Sequence, residues 1–80
     1  MRYFLFTTTT CQKCPELKAF VEENVSFDGV ILDENDFDFG VKMAEFGVAT
    51  APTFIVVDGD LELFWGSEIY EIQEFLSNLS

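Results

Sequence analysis

The 80-residue sequence has no histidine, two cysteines, two prolines and four basic residues, and its apolar runs are short. Each shortage excludes something. Structural zinc is held by four ligands, so two cysteines without histidine would need carboxylates or a second subunit to complete a site. The cysteines, Cys11 and Cys14, also form no disulfide framework, because a loop this small stabilises a fold very little. Four bases against fifteen acids give a formal charge of −11, which repels phosphate backbones and anionic headgroups and makes nucleic acid and membranes unexpected partners. No apolar stretch reaches the roughly 18 residues of a membrane span. The N-terminal residues lack the basic region, apolar run and small-residue cleavage site of a secretory leader. The expectation is a cytoplasmic protein, in a compartment where thiols stay reduced and disulfides are transient and catalytic. The acidity reads equally well as solubility and as complementarity to a basic partner.

Apolar side chains are abundant. Ten phenylalanines, one tryptophan and two tyrosines serve a chain that buries roughly 60 to 65% of its unfolded surface. Each fully buried phenylalanine contributes roughly 1.5 to 3 kcal/mol by transfer. The length predicts one domain over 1–80.

The pattern predicts a buried strand over 2–6 and a polar loop of four threonines, Thr7 to Thr10. A helix over 12–24 follows, with Cys14, Leu17, Phe20 and Val21 on one face and Pro15 in its first turn. A second strand falls at 30–32. A second helix is predicted over 37–46, with Phe37, Val41 and Ala44 forming a stripe that Phe39, Met43 and Phe46 widen, and Gly47 as its C-cap. The run 53–57 reads as a strand buried on both faces, and Asp58-Gly59 as a hairpin turn. In the returning strand Leu61, Leu63 and Trp65 alternate with Glu62 and Phe64. Ser67 is the expected N-cap of a last helix with Ile69, Ile72, Phe75, Leu76 and Leu79 on its face. The order βαβαββα predicts an α/β fold of three layers. The first two strands are parallel, the last two antiparallel, and three helices flank a four-stranded mixed sheet.

A CxxC pair where a strand gives way to a helix reads as a redox motif. Cys11-Gln12-Lys13-Cys14-Pro15, Thr50-Ala51-Pro52 about forty residues later, and the element order together resemble the thioredoxin fold over the whole chain. The small size places the sequence nearest the glutaredoxin-like redoxins. The resemblance implies a cis Pro52 lying against the cysteine pair. Thr10 precedes Cys11 where thioredoxins usually carry tryptophan, and Leu5-Phe6 stands where they carry a buried aspartate. Thr7 to Thr10 supply no base of the kind glutathione-using glutaredoxins have, and Phe64-Trp65-Gly66-Ser67-Glu68 keeps one glycine of their pair. The nearest likeness is then to redoxins that take electrons from a flavin disulfide reductase and reduce ribonucleotide reductase.

On that reading Cys11, at a helix N-terminus that favours its thiolate, attacks a substrate disulfide, and Cys14 resolves the mixed disulfide. Pro52 and the Ala51 backbone floor a groove that pairs with an extended substrate segment, flanked by Thr10, Gln12, Lys13 and Thr50. Lys13 is equally a tuner of the thiolate and a solvated lysine. The expected protein is a monomeric thiol–disulfide oxidoreductase without a cofactor. A protein disulfide is its substrate and a disulfide reductase its electron donor. A glutathione-dependent glutaredoxin, and a dimeric metal or iron–sulfur module built on the same fold, remain as alternatives.

Overall fold

A computed structural model describes residues 1–79. Its elements are β1 (Arg2–Phe6), α1 (Cys14–Asn24), β2 (Gly29–Leu32), α2 (Phe39–Phe46), β3 (Thr53–Asp58), β4 (Leu61–Gly66) and α3 (Ile69–Asn78). The strands form one sheet in the order β2-β1-β3-β4. Apolar residues on both faces place β1 and β3 in the middle, where each is covered from two sides. β1 pairs parallel with β2 and antiparallel with β3, and β3 and β4 form the hairpin.

Alternation along β1 and β3 divides the interior in two. Leu5, Phe54 and Val56 point to one face and meet Leu17 and Val21 of α1 and Ile72 of α3. Phe4, Phe6 and Ile55 point to the other and are covered by Phe39, Met43 and Phe46 of α2. Aromatic rings fill this second layer, with Phe46 5.1 Å from Phe4 and Phe39 edge-on to Phe6 at 6.1 Å. The three-layer α/β sandwich expected from the sequence is the architecture observed.

Several expectations need correction. The second helix begins at Phe39, not Phe37. A turn that donates the Phe39 N–H to the Asp36 carbonyl leaves Phe37 outside the helix and 93% exposed. Val41 and Ala44 face outward as well, so the packing face is Phe39, Met43 and Phe46 alone. In β4 the inward residue is Phe64, stacked on Phe75 at 4.5 Å. Leu61, Leu63 and Trp65 lie exposed, because α2 reaches β1 and β3 and leaves the outer strand of that sheet face uncovered. The hairpin turn is Gly59-Asp60, with Gly59 at φ +63°, as a two-residue turn with glycine first requires. The last helix is capped by Glu68 rather than Ser67. Glu68 and Glu71 exchange side-chain-to-backbone hydrogen bonds in a capping box. Leu79 follows that helix and is exposed.

Register fixes where the chemistry sits. Phe6 is opposite Leu32 on one side and Thr53 on the other, and Phe54 is opposite Gly66. The end of β1, the end of β2, the start of β3 and the end of β4 therefore share one edge of the sheet. Residues 7–13, 33–38, 47–52 and 67–68 all emerge there. Among the described residues no helix is long and apolar enough to cross a membrane.

Candidate functional site

The loop leaving β1 is tied down at once. Thr7 is buried, its N–H donates to the Leu32 carbonyl at 2.8 Å, and its hydroxyl donates to the same oxygen at 3.3 Å. The Cys11 N–H donates to the Thr8 carbonyl at 3.3 Å and closes a turn that delivers Cys11 to the start of α1. The helix begins at Cys14, with Lys13 at the N-cap and Pro15 in the first turn, where a missing N–H removes no helical bond. Cys11 thus precedes the helix by three residues, where the expected helix over 12–24 placed it immediately before the first turn.

Cys11 and Cys14 are joined in a disulfide, with Cα atoms 5.4 Å apart. The two sulfurs differ in surroundings. Cys14 is 3% exposed beneath the sheet edge, whereas Cys11 is half-buried. The Cys14 N–H donates to Cys11 Sγ at 3.1 Å, so an otherwise unpaired amide of the helix start is aimed at the outer sulfur.

The peptide bond Ala51–Pro52 is cis. Pro52 is buried and Ala51 half-buried, while Thr10, Gln12, Lys13 and Thr50 are exposed. The Thr53 hydroxyl donates to the Thr50 carbonyl at 2.7 Å and pins the loop ahead of the proline. A groove of about 420 Å³ lies between Lys13 and Glu16 on one side and Ser67 and Glu68 on the other. Two more open at this edge. One, of about 250 Å³, runs along Thr7 to Thr9, Cys11, Cys14 and Pro15, with Lys18 and Asp33 on its rim. The other, of about 260 Å³, includes Thr50, Thr53, Trp65, Gly66 and Glu71. Thr50 therefore lines a different groove from Cys11.

Two acidic side chains brace the loops. Glu34 accepts from the Thr9 N–H at 2.8 Å and also from the Thr9 hydroxyl. These bonds favour its charged form and hold its carboxyl below the usual range. Lys13 Nζ lies 2.6 Å from Glu68 Oε1, and this bond and the charge of Glu68 raise the lysine above its ordinary value. The ammonium of Lys13 is therefore committed to the α3 N-cap.

Sequence reasoning missed Glu34, Glu68, Lys18, Asp33 and Trp65. Only Lys18 carried a local signal, four residues after Cys14 and hence on the same side of the helix. The other four come from segments distant in sequence.

No family model matches the sequence, and no curated protein matches it. Solved structures do match. Oxidised thioredoxin O2 from Arabidopsis thaliana superposes with a TM-score of 0.80 at 14% identity, over 98% of this chain and 73% of its own. The chain has a thioredoxin-like fold. The germline-specific thioredoxin Deadhead from Drosophila melanogaster gives a TM-score of 0.75 at 19% identity, covering 99% of this chain and 80% of that one. Thioredoxin 1 from Thermosipho africanus gives 0.68 at 22% identity, covering 99% and 90%. Against this thioredoxin-like frame the Cys11–Cys14 pair occupies the junction between the first strand and the first helix.

Proposed function

We propose that the protein is a thiol–disulfide oxidoreductase that carries two electrons to a protein disulfide. The observation that carries this reading is the asymmetric cysteine pair. An accessible sulfur receives a backbone N–H at the mouth of a helix, and a buried one stands within bonding distance behind it. In the dithiol state the Cys14 amide and the helix dipole favour a Cys11 thiolate. That thiolate attacks one sulfur of the substrate disulfide, the substrate S–S bond breaks, and the first substrate sulfur leaves as a thiolate. Cys14 gives up its proton and attacks Cys11 Sγ. The mixed disulfide breaks, the second substrate sulfur leaves, and Cys11–Cys14 forms. Two electrons pass to the substrate, whose thiolates take up two protons.

Replacing Cys14 with Ser stops the sequence after its first bond exchange. The variant is expected to accumulate a mixed disulfide with substrate, seen by mass spectrometry. Insulin reduction with dithiothreitol as electron source should fall to background in Cys11→Ser. Full turnover by Cys14→Ser would overturn the two-cysteine mechanism.

Within this activity, ribonucleotide reductase is the proposed substrate and a flavin disulfide reductase the proposed donor. The support is the composition of the loop before Cys11. Thr7 to Thr10 bring no base to hold the carboxylates of glutathione, and the charge of Lys18 in the adjoining groove is offset by Asp33. Offering the oxidised protein NADPH with thioredoxin reductase, ferredoxin with its disulfide reductase, and glutathione with its reductase separates the donors. Efficient turnover with glutathione alone would replace this reading.

A further inference from the structure

The groove beside Thr50 has an unusual lining for an acidic surface. Trp65 is 41% exposed on the part of the sheet that α2 leaves bare. Its indole N–H donates to Glu62 Oε1 at 2.5 Å, which fixes the ring and sets a carboxylate at its edge. Glu71 lines the same groove. Its capping bonds from the Ser67 and Glu68 amides, at 3.1 and 3.0 Å, both use Oε1.

No base lines this groove to answer Glu71. Glu62 differs, because it borders a separate cavity that Arg2 and Lys42 also line. Lys13 pairs with Glu68, and Lys18 lines the groove beside Cys11. An ordered tryptophan face beside an acid that no lining base answers is a receptor for a cation with a flat, weakly hydrated head. Through Thr50 the groove continues into the loop that carries Ala51 and Pro52.

We propose that this groove is a subsite for an arginine side chain of the polypeptide being reduced. The guanidinium stacks on Trp65, with the Glu71 carboxylate in the same groove and the Glu62 carboxylate at the ring's N–H edge, while the neighbouring cysteine is presented to Cys11. The proposal rests on the oxidoreductase reading above. It names the substrate as a disulfide with a basic flank, and it gives the negative charge of the chain a local use. Arginine is favoured over lysine because its planar head gains from the ring face as well as from the charge.

The test uses the full chain and a panel of disulfide-linked peptides. Arginine is placed at successive positions on either side of the cysteine, and each peptide is matched by partners with citrulline or leucine at the same place. At one position the arginine peptide should be reduced about two- to fivefold faster than its citrulline partner, the span of an exposed cation–π contact. That ratio should shrink in 0.5 M salt, since surface charge is then largely screened over about 4 Å. It should fall toward one in Trp65→Leu, and Glu62→Gln should lower it part of the way. Equal rates for arginine and citrulline at every position would overturn the subsite while leaving the oxidoreductase reading intact. So would a leucine peptide that outruns both, since the groove would then be apolar in use, or a ratio that survives Trp65→Leu. Failure of the wild-type protein to reduce even the citrulline peptides would overturn both readings together.

Discussion

Gly29 lies directly beneath the ring of Tyr3, its partner across the parallel pair of β1 and β2. A methyl group added there meets Tyr3 Cδ2 at 2.2 Å, Cγ at 2.3 Å and Cε2 at 2.4 Å. These atoms belong to the body of the ring and not to a flexible tip. Restoring an ordinary contact of 3.4 Å from 2.2 Å requires a displacement of about 1.2 Å. Little room exists for it, since Tyr3 stands edge-on to Phe27 at 6.2 Å and tilted against Phe54 at 5.5 Å, and Phe54 is fully buried. Overpacking of this kind costs about 1–3 kcal/mol, and disturbing an aromatic pair adds about 0.5–1.5 kcal/mol. Ala regains about 0.5–1 kcal/mol over Gly in a strand. Gly29→Ala is therefore expected to destabilise the protein by about 2 kcal/mol, or about 8–16 °C in melting temperature for a domain of this size. Urea denaturation measures it, and the double variant Tyr3→Ala/Gly29→Ala identifies the cause. With the ring gone the glycine substitution should cost nearly nothing, so the two changes must be strongly non-additive. A Gly29→Ala protein as stable as wild type, or additive costs in the double variant, would refute the reasoning.

Leu17, 2% exposed between α1 and the sheet, should cost about 2–5 kcal/mol when replaced by Ala, as read by the same denaturation experiment. The bonds from Thr9 lower the carboxyl of Glu34 below its ordinary value of 4.5, so the stability they supply is complete above that value and fades as pH falls through the depressed one. The stability gap between wild type and Thr9→Val should accordingly be largest near neutrality and close in acid; a gap that is constant with pH would contradict this. Lys13 is raised above 10.5, so its pairing with Glu68 contributes fully below 10.5 and is lost only as pH rises through the higher value. Lys13→Met should show a stability deficit at pH 8 that disappears in strong alkali. Because the ammonium is already committed to Glu68, the same variant should leave the rate of Cys11 alkylation nearly unchanged at neutral pH.

Strands β1 and β3 were legible because their apolar runs are continuous and end at turn residues. The site was legible because a two-residue spacing places both cysteines at one helix start. The faces of α2 and β4 were not. Residues 37–46 set Asp38, Lys42 and Glu45 on one stripe and leave two apolar ones, so a period of 3.6 fits either, and only the turn donating the Phe39 N–H to Asp36 decides between them. In β4 the alternation of Leu61, Leu63 and Trp65 with Glu62 and Phe64 left the inward face open. Which face is covered depends on how far α2 extends across the sheet, a tertiary fact that no local window contains. Phe64 turns inward because Phe75 and Phe54 wait there, and a bulge between Val56 and Val57 shifts the register of the strand beside them. The cap of α3 fell to Glu68 because the reciprocal bond needs a glutamate three residues on, which Glu71 supplies to Glu68 and Tyr70 could not supply to Ser67. The braces on the cysteine loop, Glu34 and Glu68, were invisible for a simpler reason: they approach from 25 and 55 residues away.

The bond between Cys11 and Cys14 encloses two residues of chain, and the amide of Cys14 rests against the outer sulfur. Closing so short a loop removes little freedom from an unfolded chain. The energies of the four states, folded or unfolded and oxidised or reduced, nevertheless form a closed cycle. Whatever the amide and the helix start contribute to the folded reduced pair beyond what they contribute to the folded disulfide must appear, unchanged in size, as a more oxidising bond. Melting the protein in both redox states therefore measures how far the fold has moved the potential of its own sulfurs from that of an unstructured CxxC peptide. If the reduced form melts higher, the helix mouth makes the bond a better electron acceptor than the sequence alone would be. If the two forms melt together, the fold leaves the potential where the peptide has it.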